Sequence, residues 1–160
     1  MRILGVDPGL HTTGYGAINS RGRDFSLFEA GYIRTNPRQP LEARLVHIHR
    51  AIDKIIHKCR PDVLVLEKLY AHWRHPATAY TLGHARGVIC LAARENNIAF
   101  VEYAATRIKK AVVGKGHASK AQVQRMIQSL LSLRETPNPP DVSDALALAI
   151  GHSYIVMKKI

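Results

Sequence analysis

Val63-Leu64-Val65-Leu66 is apolar on both parities, so neither side of this segment can be left to water. Strand side chains alternate between the two faces of a sheet, and a run of Val and Leu with no polar member belongs at a sheet centre covered on both sides. The run follows Arg60-Pro61 and passes directly into Glu67. A carboxylate that extends a fully apolar strand is either turned into solvent or held by a partner or a metal. The segment therefore predicts a layered chain with a carboxylate at the end of its central strand.

The remaining pattern is that of an α/β chain. Arg2–Val6 reads as a buried strand stopped by Asp7-Pro8-Gly9. Gly14–Asn19 and Ser26–Ile33 read as two more strands, separated by the turn-rich Ser20-Arg21-Gly22-Arg23-Asp24, which predicts an antiparallel meander. After a loop over Thr35–Pro40, the residues Leu41, Leu45, Ile48, Ile52, Ile55 and Ile56 recur at helical spacing through Leu41–Cys59. The opposite face of that helix, with Arg44, Arg50, Lys54 and Lys58, is expected to be solvated. Beyond the central strand come a helix over Thr78–Asn96, a strand over Ile98–Glu102, and helices over Thr106–Val113, Lys120–Leu133 and Val142–Lys158. The expected product is a mixed five-stranded sheet with helices on both faces. A chain of 160 residues suits a single domain, burying roughly two thirds of its unfolded surface. If the first and fourth strands lie side by side and parallel, Asp7 and Glu67 meet at the edge where open α/β sheets place their sites.

Charge narrows the function. Lys and Arg total 23 against 12 Asp and Glu, a formal net charge of +11 with nine histidines besides. That surplus points to a polyanion partner, most often nucleic acid, the alternative being a generally basic soluble protein. Cys59 and Cys90 form no CxxC pair and fall on apolar helical faces, so they read as reduced core thiols rather than a disulfide or zinc framework. Met1-Arg2 runs straight into apolar residues with no room for a signal peptide, and no apolar run approaches the ~18 residues of a membrane span. The expected location is cytoplasmic, with no membrane partner.

Against this basic background, four carboxylates stand at the ends of apolar segments: Asp7, Glu67, Asp141 and Asp144. Asp7 lies in Gly5-Val6-Asp7-Pro8-Gly9, with Gly14 and Gly16 following; this is an ordinary turn sequence, or a turn that brings phosphate and metal close to backbone. Asp141 and Asp144 read as a helix N-cap with an acid three positions on, or as two ligands on one side of a first turn. Carboxylate oxygens as a set suit Mg²⁺ or Mn²⁺, and two such ions ~3.5–4 Å apart support in-line phosphodiester hydrolysis. Arg107, Lys109, Lys110, Lys115, Lys120 and Arg125 flank the Gly114/Gly116 loop, as a tracked phosphate backbone or a solvated charge run would require. Tyr70, His72, Trp73, Arg74 and His75 interleave aromatic and basic groups, suited to stacking on unpaired bases, although Trp73 alone is equally a core residue.

Five blocks in order carry a specific resemblance: GVDPG at Asp7, VLEKLY at Glu67, LGHARGV over Leu82–Val88, the stretch Glu102–Gln124, and DVSDALALAI over Asp141–Ile150. Together they resemble the RuvC family of Holliday-junction resolvases along essentially the whole chain. The resemblance implies an RNase H-like fold, a homodimer, and Mg²⁺-dependent paired nicking of four-way junction DNA in partnership with RuvA and RuvB. It also implies a pair of Mg²⁺ ions per site, for which Mn²⁺ substitutes. The family's catalytic carboxylates fall on Asp7, Glu67, Asp141 and Asp144, its DNA-contacting lysines on Lys109 and Lys120, and its aromatic residue on Tyr70. The chain departs from the family over Ala71–Pro76, where a small and polar stretch such as M-A-K-N is common, and at His84, where Gln is usual. Two other classes are weighed against this one. An actin-like or sugar-kinase ATPase needs two lobes, and a non-catalytic junction-binding module leaves the four acids unexplained.

Overall fold

The computed structural model describes residues 1–69 and 76–158. Its elements run β1 (Arg2–Asp7), β2 (Thr12–Arg21), β3 (Asp24–Arg34), α1 (Leu41–Cys59), β4 (Val63–Glu67), α2 (Pro76–Glu95), β5 (Ala99–Tyr103), α3 (Ala105–Val113), α4 (Lys120–Leu130) and α5 (Pro140–Met157). The strands form one sheet in the order β3-β2-β1-β4-β5. β1, β2 and β3 make the antiparallel meander, while β1 pairs with β4, and β4 with β5, in parallel. The first and fourth strands are thus parallel neighbours, which meets the condition for Asp7 and Glu67 to share one sheet edge.

β4 behaves as its two-sided pattern demands. Val63 and Val65 join a core with Ile3, Ile18, α3, α4 and α5, whereas Leu64 and Leu66 join a second core with Leu4, Val6, α1 and α2. Helices therefore cover both faces. α1 buries Ile48, Ile52, Ile55 and Ile56 and ends at Arg60, whose left-handed backbone turns its N–H to the Ile56 carbonyl at 2.7 Å.

Two expected boundaries move in ways that bear on function. α4 stops at Leu130 instead of reaching Leu133, and Ser132 takes a positive φ of 50°. α5 begins at Pro140, two residues before Val142, with Pro139 as its N-cap. A proline at N1 has no N–H to lose and a φ already helical. The N-cap reading of Asp141 is corrected accordingly: Asp141 lies inside the first turn, and no side chain caps this helix.

α5 is buried nearly all round, from Val142 to Ser153 apart from Asp144, and it lies directly on sheet backbone. Gly5 and Gly16 are register partners on β1 and β2, and Gly14 is the partner of Asp7. A methyl group on Gly5 would collide with the Ala145 carbonyl, on Gly14 with the backbone of Asp141, and on Gly16 with Leu146. The helix can come this close only where the sheet has no side chains. Polar groups that the approach buries are paired: Ser153 with Ser20 at 2.6 Å, and His152 with the Tyr103 hydroxyl at 2.9 Å.

Gly5→Ala is expected to cost about 1–3 kcal/mol or more, because the added carbon meets backbone that cannot rotate away. A denaturant titration should show a lower midpoint; an unchanged midpoint would mean that α5 does not depend on this seat.

Candidate active site

The strand alternation that splits the core also aims the acids. Asp7 is two residues beyond Gly5, and Glu67 two beyond Val65, so both carry their side chains on the α5 face at the C-terminal edge of the parallel pair. α5 brings the other two. The Asp141 backbone abuts Gly14 beside Asp7, and Asp144 follows three residues later on the same side of the helix. Asp7, Glu67 and Asp144 line a cleft of about 320 Å³, with Lys109 and Lys120 on its wall and Ala105, Ile108, Val123, Ala147 and Leu148 completing it. Asp141 stands just outside that lining, on the Gly14 side.

Asp7 feels the other three carboxylates. Asp7 is pushed up to about 7, first by burial and then by Asp144, Asp141 and Glu67, with Lys120 opposing. Burial and then Asp144 raise Glu67 as well, while Lys109, Lys120 and Arg86 pull it back. Lys120 holds its Nζ 3.3 Å from Asp144 Oδ2, and that carboxylate raises the ammonium above its usual value. Crowded like charges of this kind are relieved by a cation, and an all-oxygen donor set suits a hard divalent ion. Among the described residues, no three acidic, histidine or cysteine side chains stand close enough together to hold a metal ion by themselves. Mg²⁺ is compatible with that openness, since it keeps several waters and takes substrate phosphates as ligands.

The turn after Asp7 is fastened by residues that sequence reasoning passed over. Thr13, fully buried, donates from Oγ1 to the Gly9 carbonyl at 2.7 Å. Thr35 Oγ1 donates to the Leu10 carbonyl at 2.5 Å, and Arg44 reaches the same carbonyl at 2.9 Å and Thr35 Oγ1 at 3.0 Å. Arg44 is thus not the solvated residue expected of its helix face. Its position on the border of the apolar stripe, one residue before Leu45, was the available signal. Arg86 of α2 likewise reaches inward, to the Glu67 carbonyl and the Glu102 carboxylate.

Of the basic candidates, Lys109 and Lys120 come to the cleft. Ser119 and Gln122 form a reciprocal capping box that starts α4 and sets Lys120 at its first helical position. Arg107 is instead exposed over the Tyr103 ring, 5.2 Å from its centroid, and Lys110 and Lys115 are exposed outside the cleft lining. Tyr70, Arg74 and Trp73 fall outside the described residues. His84 packs edge-on against Tyr80, with ring centroids 4.3 Å apart.

Comparison with known proteins identifies the family and its fold. The family model described as crossover junction endodeoxyribonuclease RuvC matches residues 3–152. A RuvC of Caldicellulosiruptor saccharolyticus is 42% identical over 95% of this chain and 92% of its own length. One from Rhodopirellula baltica is 40% identical over 99% of this chain and 89% of its own. The structure of T. thermophilus RuvC in complex with Holliday junction substrate superposes with a TM-score of 0.94 at 31% identity, covering 99% of this chain and 96% of that one.

The raised Asp7 carboxyl has a consequence for stability. Its ordinary value is 3.8 and its folded value about 7, so the metal-free fold binds this proton more tightly than the unfolded chain does. The stability it contributes is complete below the unfolded value and is lost as pH rises through about 7. In chelator at pH ~8, Asp7→Asn is therefore expected to be more stable than wild type by about 2–4 kcal/mol, with the gain gone below pH ~4. Equal denaturation midpoints for the two proteins at the higher pH would refute the raised Asp7 carboxyl.

Proposed function

The chain belongs to the RuvC family of metal-dependent crossover junction endodeoxyribonucleases, and we propose that it resolves Holliday junctions with Mg²⁺ held by Asp7, Glu67, Asp141 and Asp144. Its fold is the RNase H-like mixed sheet of the RuvC structures, and it is a nuclease rather than a binding module or an ATPase lobe. The observation that supports the site assignment is convergence: Asp7 of β1, Glu67 of β4 and Asp144 of α5 meet beside two lysines in one cleft, with Asp141 near enough to act on Asp7 from just outside it.

A pair of Mg²⁺ ions, when bound, supplies Lewis acidity for the attacking water and for the departing 3′ or 5′ oxygen, and Mn²⁺ can take their place. The residues do the rest. Asp7, Glu67, Asp141 and Asp144 would hold the ions, Asp7 in its ionised form and Asp144 free of its contact with Lys120. Lys120, so released, and Lys109 hold phosphate oxygens on the cleft wall and fix the scissile strand against the acids. Ile108, Val123 and Leu148 give the cleft an apolar wall beside these charged groups.

Residues 1–160 act as a single nuclease domain in this reading. Two matched cuts need two sites, and a two-fold homodimer provides them. Exposed Tyr80 and Leu91 on α2, with open space at Gly83 and Gly87 between them, support a self-association surface there. RuvA and RuvB are the proposed partners that deliver the junction. No helix among the described residues is long and apolar enough to cross a membrane, and a cytoplasmic location is proposed.

Asp144→Asn is expected to abolish junction cleavage in Mg²⁺ while gel-shift binding to a four-way junction persists; more than about a tenth of wild-type turnover would overturn the assignment. Lys109→Ala should weaken binding to all junction sequences alike and lower the slope of log affinity against log salt by about one unit. An unchanged slope would place this lysine away from the DNA.

A further inference from the structure

Glu67 sits where the sheet runs out of hydrogen-bond donors. Lys68 donates its N–H to the Tyr103 carbonyl at 2.8 Å, so the even-numbered residues at this end of β4 address β5, and Glu67 turns its main-chain groups toward β1. With Val6 opposite Leu66, the next donor along β1 in this parallel register is residue 8. That residue is Pro8, which has no N–H. The last carbonyl of β4 is thus denied its ladder partner at the very residue whose side chain enters the acidic cluster.

Arg86 fills the gap. It projects from α2 with its side chain only 13% exposed, donates from Nη1 to the Glu67 carbonyl, and sets Nη2 against the carboxylate of Glu102. Glu102 is the β5 register partner of Leu66. One planar guanidinium therefore ties the ends of β4 and β5 together and anchors both to α2. The planar fork suits two acceptors at a fixed angle; a lysine ammonium is a point charge on a flexible stem and cannot hold that plane.

We propose that Arg86 is a positioning residue for the metal site, fixing the backbone of Glu67 so that its carboxylate stays aimed at the cluster of Asp7 and Asp144. The inference rests on the reading of Glu67 as a metal-holding residue. Arg86 touches neither metal nor substrate; it acts through Glu67, as groups that orient metal ligands generally do. Glu102 in turn holds the second arm of the guanidinium, so that its plane stays set against the Glu67 carbonyl.

The test is a calorimetric Mn²⁺ titration of the full-length protein, with metal-free junction binding and melting temperature measured alongside. Arg86→Lys is expected to weaken Mn²⁺ binding about 10-fold or more, the usual scale for loss of a ligand-orienting partner, while junction affinity in chelator stays within about twofold. Cleavage should fall in parallel and recover in part as Mn²⁺ is raised. Glu102→Gln, which leaves the carbonyl bond in place, should show a smaller loss in the same direction, and it carries the comparison if Arg86→Lys does not fold. Mn²⁺ affinity within about twofold of wild type in both variants would overturn the proposal. So would a loss of metal affinity matched by equal losses of junction binding and melting temperature, which would mark Arg86 as a purely structural residue. Glu67→Gln serves as the reference: if it keeps wild-type Mn²⁺ affinity, the reading of Glu67 itself fails, an outcome distinct from failure of Arg86 to position it.

Discussion

The approach of α5 to bare sheet backbone is the contact on which the rest depends. Side chains on β1 or β2 at positions 5, 14 or 16 would hold the helix a methyl group or more farther off. Asp141 and Asp144 would then retreat from Asp7, and the mutual repulsion that marks the cluster would relax. Close packing thus does electrostatic work. Apolar burial along Val142–Ile155 supplies the attraction that holds four acids near one another against their charge.

That arrangement trades stability for chemistry. A carboxyl pushed up to about 7 in the metal-free fold is a group whose charge the folded chain resists. Crowded oxygen donors of this kind suit a hard divalent cation, whose charge would offset the repulsion. Lys120 partly plays this part in the absence of metal, yet a single ammonium at 3.3 Å from one carboxylate leaves Asp7 and Glu67 raised. Net charge elsewhere is strongly positive, so the long-range field favours a polyanion while the short-range field of the cluster favours positive charge.

Much of this was legible in the sequence because the informative residues broke a local pattern. Glu67 interrupts an apolar run, and strand parity then fixes which face it must take. The meander joined to helix-linked strands left the parallel neighbourhood of β1 and β4 as a condition, which the sheet order meets. The start of α5 was misread because Asp141 has the composition of a cap, while Pro140 could equally belong to the preceding Pro-rich loop; only the backbone shows it inside the helix. Arg107, Lys110 and Lys115 looked equivalent to Lys109 in a charge run. Which of them faces the cleft depends on how α3 packs against α5, at Gly151 and Ile108, and a one-dimensional reading does not contain that.

The residues hardest to foresee share one physical cause. A strand that ends in a functional turn leaves carbonyls without ladder partners, and these must be paired where they are buried. Leu10 is served by Arg44 and Thr35, and Glu67 by Arg86. Both arginines come from α1 and α2, on the face opposite α5. The two helical layers accordingly divide the labour: α3, α4 and α5 bring charged groups to the cleft, while α1 and α2 hold the strand ends that present Asp7 and Glu67. An arginine suits the second task because its long apolar stem can lie beside a core while its donors reach the sheet edge. Each looks, in sequence, like one more positive charge on a basic protein. What separates them from the solvated lysines is the carbonyl they reach, which is a property of the sheet's edge and not of their own helices.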